Sequence, residues 1–271
     1  MKRRIQDMVI MSDVDGTLIT RDHKRSARNV EALNRFIAKG GRFGLSTGRV
    51  PIQLKELLGH LPINFPCVMY NGGMIYDYNT GKILKDWVLP EQARPYFRMV
   101  EEAVPTCEAL VVSDNYYIIR EDTTLKDQQN DKGRRYAFCP DLDKIPLPWR
   151  KGLFFIDESQ FDAFYEHVNN GNYPGVRFVA TNYRLQEMLP EGCSKATALT
   201  ELVKMENVPL QNLVCIGDFY NDMEMIKLAG IGVTLKDSPQ DLKDAADLVV
   251  GTCQDGALAD LVEYLESICE D

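Results

Sequence analysis

The chain lacks several features that would each assign it to a particular class of protein. Its seven cysteines are scattered and form no C-x-x-C pair, so we expect neither a zinc site nor a disulfide framework. Long apolar runs are also missing, and no stretch reaches the length of a transmembrane helix. Reduced thiols and the lack of a secretory signal are typical of a cytoplasmic protein, which is the location that we expect.

Basic residues are in the minority, since 31 Lys and Arg stand against 40 Asp and Glu and the net charge is −9. Proteins that bind nucleic acid need a basic surface, so this charge argues against nucleic acid as a principal partner. An acidic protein that handles phosphorylated compounds needs a local positive pocket, made by a cation and a few Lys or Arg. The 271 residues suffice for one large domain or two smaller ones.

Strand and helix patterns alternate at both ends of the chain, whereas the middle follows a different pattern. The alternation predicts an α/β fold, with a mainly parallel sheet flanked by helices in a Rossmann-like core. In the middle, apolar runs on either side of short turns predict antiparallel strands and a separate α+β unit. We therefore expect a discontinuous core of residues 1–84 and 189–271, interrupted by an inserted α+β domain of residues 85–188.

Two segments of the predicted inserted domain, and its two connections to the core, carry expectations about ligands and movement. The polar segment 122–135 is expected to be a solvated loop with hydrogen-bonding groups. The aromatic-rich stretch from Trp149 to Phe155 offers rings that could stack on a sugar or a flat ring. The two connections, near residues 84–85 and 188–190, are expected to act as paired hinges.

Two aspartates stand one residue apart where the first apolar run ends. The run Met8–Met11 predicts a short buried strand, and Asp13 and Asp15 follow it. Residues i and i+2 of an extended chain point to the same side, and carboxylates that close repel unless a cation or a shared proton intervenes. Mg²⁺ is the simplest candidate, because it prefers oxygen ligands. A polar turn would explain a lone Asp-x-Asp, but the end of the first strand of an α/β sheet favours a ligand site.

Polar groups suited to a phosphate follow the second and third predicted strands. Thr47 offers a hydroxyl and Gly48 an unhindered backbone N–H, with Arg49 beside them, just before a predicted helix. An ordinary turn at a helix start explains these residues equally well. Asn71 follows the third strand and could contact a substrate, although Asn-Gly is also a common hairpin turn.

The last part of the chain repeats the pattern of carboxylates after a strand. An apolar strand that ends at Gly217 is followed by Asp218, Asn221 and Asp222. This repetition favours a two-sided metal cage over a chance acidic turn. Lys195 stands at a predicted helix start, where the alternative is a solvated surface lysine.

Together these positions resemble the haloacid dehalogenase-like superfamily, and within it the Cof-type (class IIB) phosphatases. The resemblance covers essentially the whole chain, and the order and spacing of the motifs make it specific. The motifs are Asp-x-Asp-Gly-Thr-Leu at 13–18, Ser-Thr-Gly-Arg at 46–49, Asn-Gly-Gly at 71–73, Gly-Cys-Ser-Lys at 192–195 and Gly-Asp-x-x-Asn-Asp at 217–222. Cys193 departs from the pattern, since many relatives have valine there.

The resemblance implies a chemical role for each of these motifs. Asp13 would be the nucleophile that forms an aspartyl-phosphate, and Asp15 the general acid and base. Mg²⁺ would be bound by the Asp13 carboxylate, the Asp15 backbone carbonyl and Asp218, with Asp222 as a further ligand or as support for the ligands. The residues implied to hold the phosphoryl oxygens are Thr47, Gly48, Lys195 and Asn221. Arg49 and Asn71 complete the set of residues that we expect to bind phosphate or substrate. The inserted domain would be the cap that closes over the site.

The sequence therefore predicts a Mg²⁺-dependent phosphatase that acts on a small phosphorylated metabolite, with sugar phosphates as the expected class. We expect a monomer or a weak homo-oligomer. One alternative is a phosphotransferase of the phosphomannomutase kind, which shares this chemistry. The other is a non-catalytic regulator that binds a metabolite on the same scaffold.

Overall fold

The computed structural model describes residues 3–20, 22–59, 61–104, 108–113, 115–120 and 136–270. The chain divides into two compact units. Unit 1 consists of Met1–Pro51, Leu58–Lys85 and Ser194–Asp271, and unit 2 of Ile52–Leu57 and Asp86–Cys193. The domain boundaries expected from the sequence, at residues 84–85 and 188–189, stay a prediction.

The described part of the chain forms the following β-strands and α-helices. The strands are β1 (Val9–Ser12), β2 (Arg42–Leu45), β3 (Cys67–Met69), β4 (Met74–Asp77), β5 (Lys82–Asp86), β6 (Glu108–Val112), β7 (Tyr116–Ile118), β8 (Tyr136–Phe138), β9 (Lys151–Phe155), β10 (Val176–Asn182), β11 (Leu185–Pro190), β12 (Leu213–Gly217), β13 (Ile231–Leu235) and β14 (Leu248–Val250). The α-helices are α1 (Ala27–Ala38), α2 (Pro51–Leu58), α3 (Arg94–Ala103), α4 (Phe161–Asn170), α5 (Lys195–Met205), α6 (Met223–Leu228), α7 (Gln240–Ala245) and α8 (Ala257–Ile268).

Unit 1 is built on a parallel five-stranded sheet with the order β14-β13-β12-β1-β2. Every residue of β1, β12 and β13 is buried, as is usual for the inner strands of a parallel sheet. Because β1 lies between β2 and β12, the carboxyl ends of these three strands lie side by side at one edge of the sheet. A smaller sheet with the order β3-β4-β5 completes this unit, and a short turn at Tyr70–Gly72 joins its first two, antiparallel strands.

Unit 2 contains a six-stranded sheet with the order β10-β11-β9-β6-β7-β8. Neighbouring strands are antiparallel except for β7 and β8, which are parallel. Its hydrophobic core includes Phe97 and Val100 from α3, Phe164 from α4, and Phe154 and Met188 from the sheet. The parallel sheet of unit 1 and the α+β character of unit 2 confirm the predicted fold class.

Two expectations about the middle of the chain are wrong. Trp149 and Phe154 are 1% and 0% exposed and belong to the hydrophobic core of unit 2, so their rings are not available to stack on a ligand. The expected hinge at 188–190 lies inside β11, where Met188 and Pro190 are paired with residues of β10. The predicted solvated loop at 122–135 lies outside the described residues.

The sequence predicts no transmembrane helix, and the lengths and compositions of the helices bear on this expectation. None of the helices described here combines the length and the apolar character that crossing a membrane requires.

Candidate active site

The site begins where β1 and β12 end next to each other. Asp13 directly follows β1, and its backbone N–H donates to the carbonyl of Ile216 in β12 at 2.9 Å. Asp218 directly follows β12. The parallel pairing of these two strands therefore brings the first and last sequence motifs together, although they are about two hundred residues apart in the chain.

Lys195 is buried between two aspartates. Ser194 caps helix α5 through a capping box with Thr197, and this cap fixes Lys195 at the first position of the helix. The Lys195 Nζ donates to Asp13 Oδ1 at 2.6 Å and to Asp222 Oδ1 at 2.6 Å. With 1% of its surface exposed, this residue is not the solvated surface lysine that the sequence left as an alternative.

Asp222 organises the loop after β12. Its Oδ2 accepts the backbone N–H of Asp218 at 3.0 Å and that of Phe219 at 3.3 Å, while its Oδ1 accepts from Lys195. Gly217 makes room for this carboxylate, because a Cβ on Gly217 would lie 2.3 Å from the Asp222 Cγ. Both oxygens of Asp222 thus already accept hydrogen bonds from protein donors.

Asp218 is held from the other side by the loop after β1. Thr17 Oγ1 donates to Asp218 Oδ1 at 2.6 Å. Gly16 has a φ of +85°, and a Cβ there would lie 2.5 Å from Asp218 Oδ2, so the turn needs glycine at this position. Thr17 had no predicted role, and its only signal in the sequence is its place in the Asp-x-Asp-Gly-Thr-Leu motif.

The three carboxylates of Asp13, Asp218 and Asp222 crowd into a small volume. Each offers an oxygen that lies within 4.8 Å of the others. Burial raises the pKa of Asp13 well above its usual value, although the ammonium of Lys195 opposes this shift. Burial and then the Asp222 charge raise the pKa of Asp218 to about 7. For Lys195, burial acts to lower the pKa, but the two neighbouring aspartates raise it above its usual value.

Residues after β2 and β3 form a second group of polar atoms. Asn71 has a φ of +54°, its backbone N–H donates to the Thr47 carbonyl at 3.0 Å, and its Oδ1 accepts from Asn221 Nδ2 at 3.1 Å. Gly48 lies against the same amide, since a Cβ on Gly48 would be 2.9 Å from Asn71 Nδ2. The structure therefore brings together Thr47, Gly48, Asn71 and Asn221, and their roles in binding stay predictions.

Gly72 connects this second group to the lysine. It has a φ of +107°, and a Cβ there would lie 2.1 Å from the Ser194 carbonyl oxygen and 3.0 Å from the Lys195 nitrogen. The turn after β3 thus packs directly against the start of helix α5. No sequence pattern indicated this contact, because a close approach of two backbones leaves only an unexplained glycine in the sequence.

Asp15 and Arg49 contact each other at this end of the sheet. Arg49 Nε donates to Asp15 Oδ2 at 2.6 Å, and Arg49 Nη2 donates to Asp15 Oδ1 at 2.6 Å. The Asp15 carboxylate is not a member of the close group formed by Asp13, Asp218 and Asp222. Its proposed contribution to a metal site, through the backbone carbonyl, stays a prediction.

Comparisons with known proteins agree with this arrangement. A family model described as haloacid dehalogenase-like hydrolase matches residues 10–262. The HMP-PP phosphatase of Yersinia pseudotuberculosis serotype O:1b is 26% identical over 258 residues, which cover 93% of this chain and 93% of that protein.

Solved structures share the fold over the same length. A haloacid dehalogenase-like hydrolase from Bacteroides thetaiotaomicron has a TM-score of 0.81 and 25% identity, and the match covers 95% of this chain and 99% of that one. A HAD subclass IIB sugar phosphatase has a TM-score of 0.81 and 19% identity, covering 96% and 99% of the two chains.

The chain therefore belongs to the haloacid dehalogenase-like hydrolase family. The predicted family is confirmed, and so is the predicted enzyme class of phosphoric monoester hydrolase, since the family match comes with relatives that are named phosphatases. The roles of the individual site residues stay predictions.

Proposed function

We propose that this enzyme is a Mg²⁺-dependent phosphatase of small phosphorylated metabolites, with sugar phosphates as the main class, and that it works through an aspartyl-phosphate on Asp13. The observation that carries the proposal is the buried Lys195 between Asp13 and Asp222, with Asp218 in the same cluster. A lysine in this place holds a carboxylate in one orientation and adds positive charge where a phosphate dianion has to bind.

The donor set of the cluster fits Mg²⁺. Carboxylate oxygens are the ligands that this ion prefers, and three carboxylates face one ammonium, so the ionised cluster has an excess of two negative charges that one Mg²⁺ cancels. Asp13, Asp218 and the backbone carbonyl of Asp15 would hold the ion. Asp222 supports these ligands, because both of its oxygens already accept protein donors. When bound, the ion neutralises charge so that an anionic nucleophile can approach a phosphate.

The chain's own residues then divide the reaction into two steps. In the first, an Asp13 carboxylate oxygen attacks phosphorus, the bond to the leaving oxygen breaks, and Asp15 gives that oxygen a proton. In the second, Asp15 takes a proton from water, which attacks the phosphoryl group and releases inorganic phosphate and free Asp13. Lys195, Thr47, the Gly48 N–H and Asn221 hold the phosphoryl oxygens. Asn71 orients Asn221 through their 3.1 Å hydrogen bond.

Unit 2 supplies the substrate choice in this proposal. Every residue given a chemical role belongs to unit 1, so unit 2 is left to act as the cap that selects the leaving group. The relatives support a small phosphorylated substrate, since one is named for HMP-PP and one is described as a sugar phosphatase. A chimera that carries the cap of a relative should hydrolyse different phosphoesters but keep its need for Asp13, whereas an unchanged substrate profile would place specificity in unit 1.

The test is a screen for phosphate release from sugar phosphates, other phosphorylated metabolites and HMP-PP, with Mg²⁺ and with excess EDTA. We expect turnover with Mg²⁺ and the highest kcat/KM with a sugar phosphate. Formation of an isomeric sugar phosphate without phosphate release would indicate the mutase alternative. Tight binding of one metabolite without any turnover would indicate the regulator. Size-exclusion chromatography tests the expected monomer or weak homo-oligomer.

A further inference from the structure

We infer that Arg49 is a positioning residue for Asp15 and not a ligand of the substrate phosphate. The inference rests on the proposed function, which gives Asp15 the acid and base role. Two nitrogens of one guanidinium, Nε and Nη2, each donate to a different oxygen of the Asp15 carboxylate at 2.6 Å. Such a two-point contact fixes the plane and the direction of a carboxylate, which a single contact does not.

The exposed fractions of the two side chains indicate that Arg49 is the more rigid partner and that it restricts Asp15. The Arg49 side chain is 10% exposed, whereas the Asp15 side chain is 48% exposed. A half-exposed aspartate on a turn is free to exchange rotamers, and proton transfer needs its oxygen in one place. Because most of its side chain is covered, Arg49 is the more rigid member of the pair, and it restricts the Asp15 carboxylate.

The backbone of Arg49 is anchored to the phosphate-binding loops. Its N–H donates to Thr47 Oγ1 at 3.2 Å, and its carbonyl accepts from the Tyr70 N–H at 3.3 Å. Arg49 therefore links the position of Asp15 to the loop of Thr47 and to the turn that carries Asn71. The geometry gives this arginine a coupling role between the acid/base group and the phosphate-holding residues.

The same contacts leave less of the guanidinium for a phosphate. Arg49 Nη2, which already donates to Asp15, also lies 3.4 Å from His23 Nε2. A phosphate ligand of the usual kind would present its two-nitrogen edge to the phosphoryl oxygens. Here that edge, formed by Nε and Nη2, is occupied by Asp15.

The test is a double-mutant cycle with Arg49→Lys, Asp15→Asn and the double variant, measured with the best sugar phosphate found in the screen. Lysine keeps the charge but cannot make the two-point contact, so we expect Arg49→Lys to lower kcat by about 10- to 100-fold with a small change in KM. In the Asp15→Asn background the same substitution should change kcat by less than about threefold, because the group that it positions is already lost. Arg49→Gln is the second variant if lysine impairs folding, and circular dichroism checks both.

A readout of phosphate binding separates positioning from direct contact. Inorganic phosphate with Mg²⁺ is the probe, and its Kd is measured by calorimetry on wild type, Arg49→Lys and Arg49→Ala. A positioning residue leaves this Kd within about threefold, whereas loss of a charged phosphate contact weakens it by more than about tenfold. A large rise in Kd for Arg49→Ala, largely rescued by lysine, would overturn the inference. Equal losses of kcat in the wild-type and Asp15→Asn backgrounds would also overturn it.

Failure of the inference and failure of the proposed function give different results. If wild type releases no phosphate from any phosphoester, the proposed function fails. Crystal structures of wild type and Arg49→Lys still report on the pair in that case, because the inference expects the Asp15 carboxylate to be ordered in the first and displaced or disordered in the second. An unchanged Asp15 carboxylate in Arg49→Lys would refute the positioning role whatever the activity.

Discussion

Each of the two units buries a lysine against carboxylates, but the balance of charge differs. In unit 2, Lys151 Nζ lies 2.8 Å from Glu187 Oε1, and the two side chains are 4% and 3% exposed. In unit 1, Lys195 contacts both Asp13 and Asp222 at 2.6 Å, and Asp218 completes the acidic cluster. In the contact of unit 2 one lysine faces one glutamate, whereas in the cluster of unit 1 three aspartates surround one lysine.

The difference shows how burial of charge separates structure from function. A buried charge is costly unless it is paired with an opposite charge and its remaining lone pairs or protons are hydrogen-bonded. The cluster of unit 1 is under-compensated, which is why burial and like charges raise the pKa of Asp13 and Asp218. Such an imbalance is typical of functional sites, and the proposed Mg²⁺ would offset it.

The largest expected effect comes from removing one carboxylate of the unbalanced cluster. Asp13→Asn is nearly isosteric but cannot act as the nucleophile, so we expect kcat to fall by at least about 10³-fold. The melting temperature should stay the same or rise, because the substitution relieves repulsion among the aspartates. Phosphate release and a thermal melt measure the two effects, with the exposed Asp241→Asn as the matched control. Near-wild-type turnover of Asp13→Asn would exclude the covalent mechanism.

Metal exchange tests the same imbalance without mutation. We expect excess EDTA to reduce turnover to background, Mg²⁺ to restore it, and Ca²⁺ to inhibit it. Ca²⁺ prefers more ligands and looser geometry than Mg²⁺, so it should draw both oxygens of Asp13 onto the metal and prevent attack. Titration of each ion into EDTA-treated enzyme measures this. Full activity in EDTA would rule out the metal site, and equal rates with both ions would remove the geometric argument.

The two units also differ in how far their sequences predict them. Asp13 and Asp218 stand directly after two strands that pair in parallel, and parallel pairing places such ends together, so these two residues could be grouped from the sequence. Contacts that depend on close packing left no comparable signal in the sequence. The Gly72 approach to Ser194 and the Thr17 hydroxyl on Asp218 depend on three-dimensional packing of distant segments.

In unit 2 the apolar runs can be read from the sequence, but whether their side chains form a core or a binding surface cannot. Aromatic residues such as Trp149 and Phe154 occur both in cores and on binding surfaces. Only the packing shows that these two belong to the core. Met188 and Pro190 precede the helix of Lys195 and were expected to be a hinge, but they pair with β10. A proline at the end of a strand does not prevent pairing, so Pro190 was a misleading signal for the end of the unit.

Substitution of Gly72 tests whether the turn after β3 positions Lys195. In Gly72→Ala the added Cβ would meet the Ser194 carbonyl at 2.1 Å, so the start of α5 has to shift and kcat should fall by about tenfold or more. Gly192→Ala is the matched control, because its φ is also positive, +74°, but a Cβ there meets nothing within 4 Å. Both variants should lose about 1–2 kcal/mol from the left-handed backbone. Equal kcat values would show that the contact at Gly72 does not position the lysine.

Breaking the Lys151–Glu187 ion pair of unit 2 should affect stability and not chemistry. Lys151→Met leaves the Glu187 carboxylate buried without its lysine, and we expect the free energy of unfolding to fall by about 3–5 kcal/mol. The double variant Lys151→Met with Glu187→Leu should recover most of this loss. Lys204→Met is the control, since the Lys204 side chain is 69% exposed and its ion pair with Glu201 should contribute less than about 1 kcal/mol. Urea denaturation measures all three, and equal losses for Lys151→Met and Lys204→Met would contradict the comparison.

The smallest expected effect is a gain in stability at Gln186. This side chain is fully buried in β11 between Phe154 and Ala180 of the neighbouring strands, and neither Nε2 nor Oε1 has a hydrogen-bond partner within the described part of the chain. Lys151 has Glu187 as a partner, whereas the Gln186 amide makes no hydrogen bond to any described residue, and such buried atoms cost about 1–3 kcal/mol. Methionine has a similar length and shape without the amide, so Gln186→Met should raise the free energy of unfolding by about 1 kcal/mol or more, while Gln211→Met at an exposed position should change it by less than about 0.5 kcal/mol. Loss of stability in Gln186→Met would mean that the amide is satisfied, with a buried water as the simplest partner, and the polar interior of unit 2 would then be balanced at this position as well.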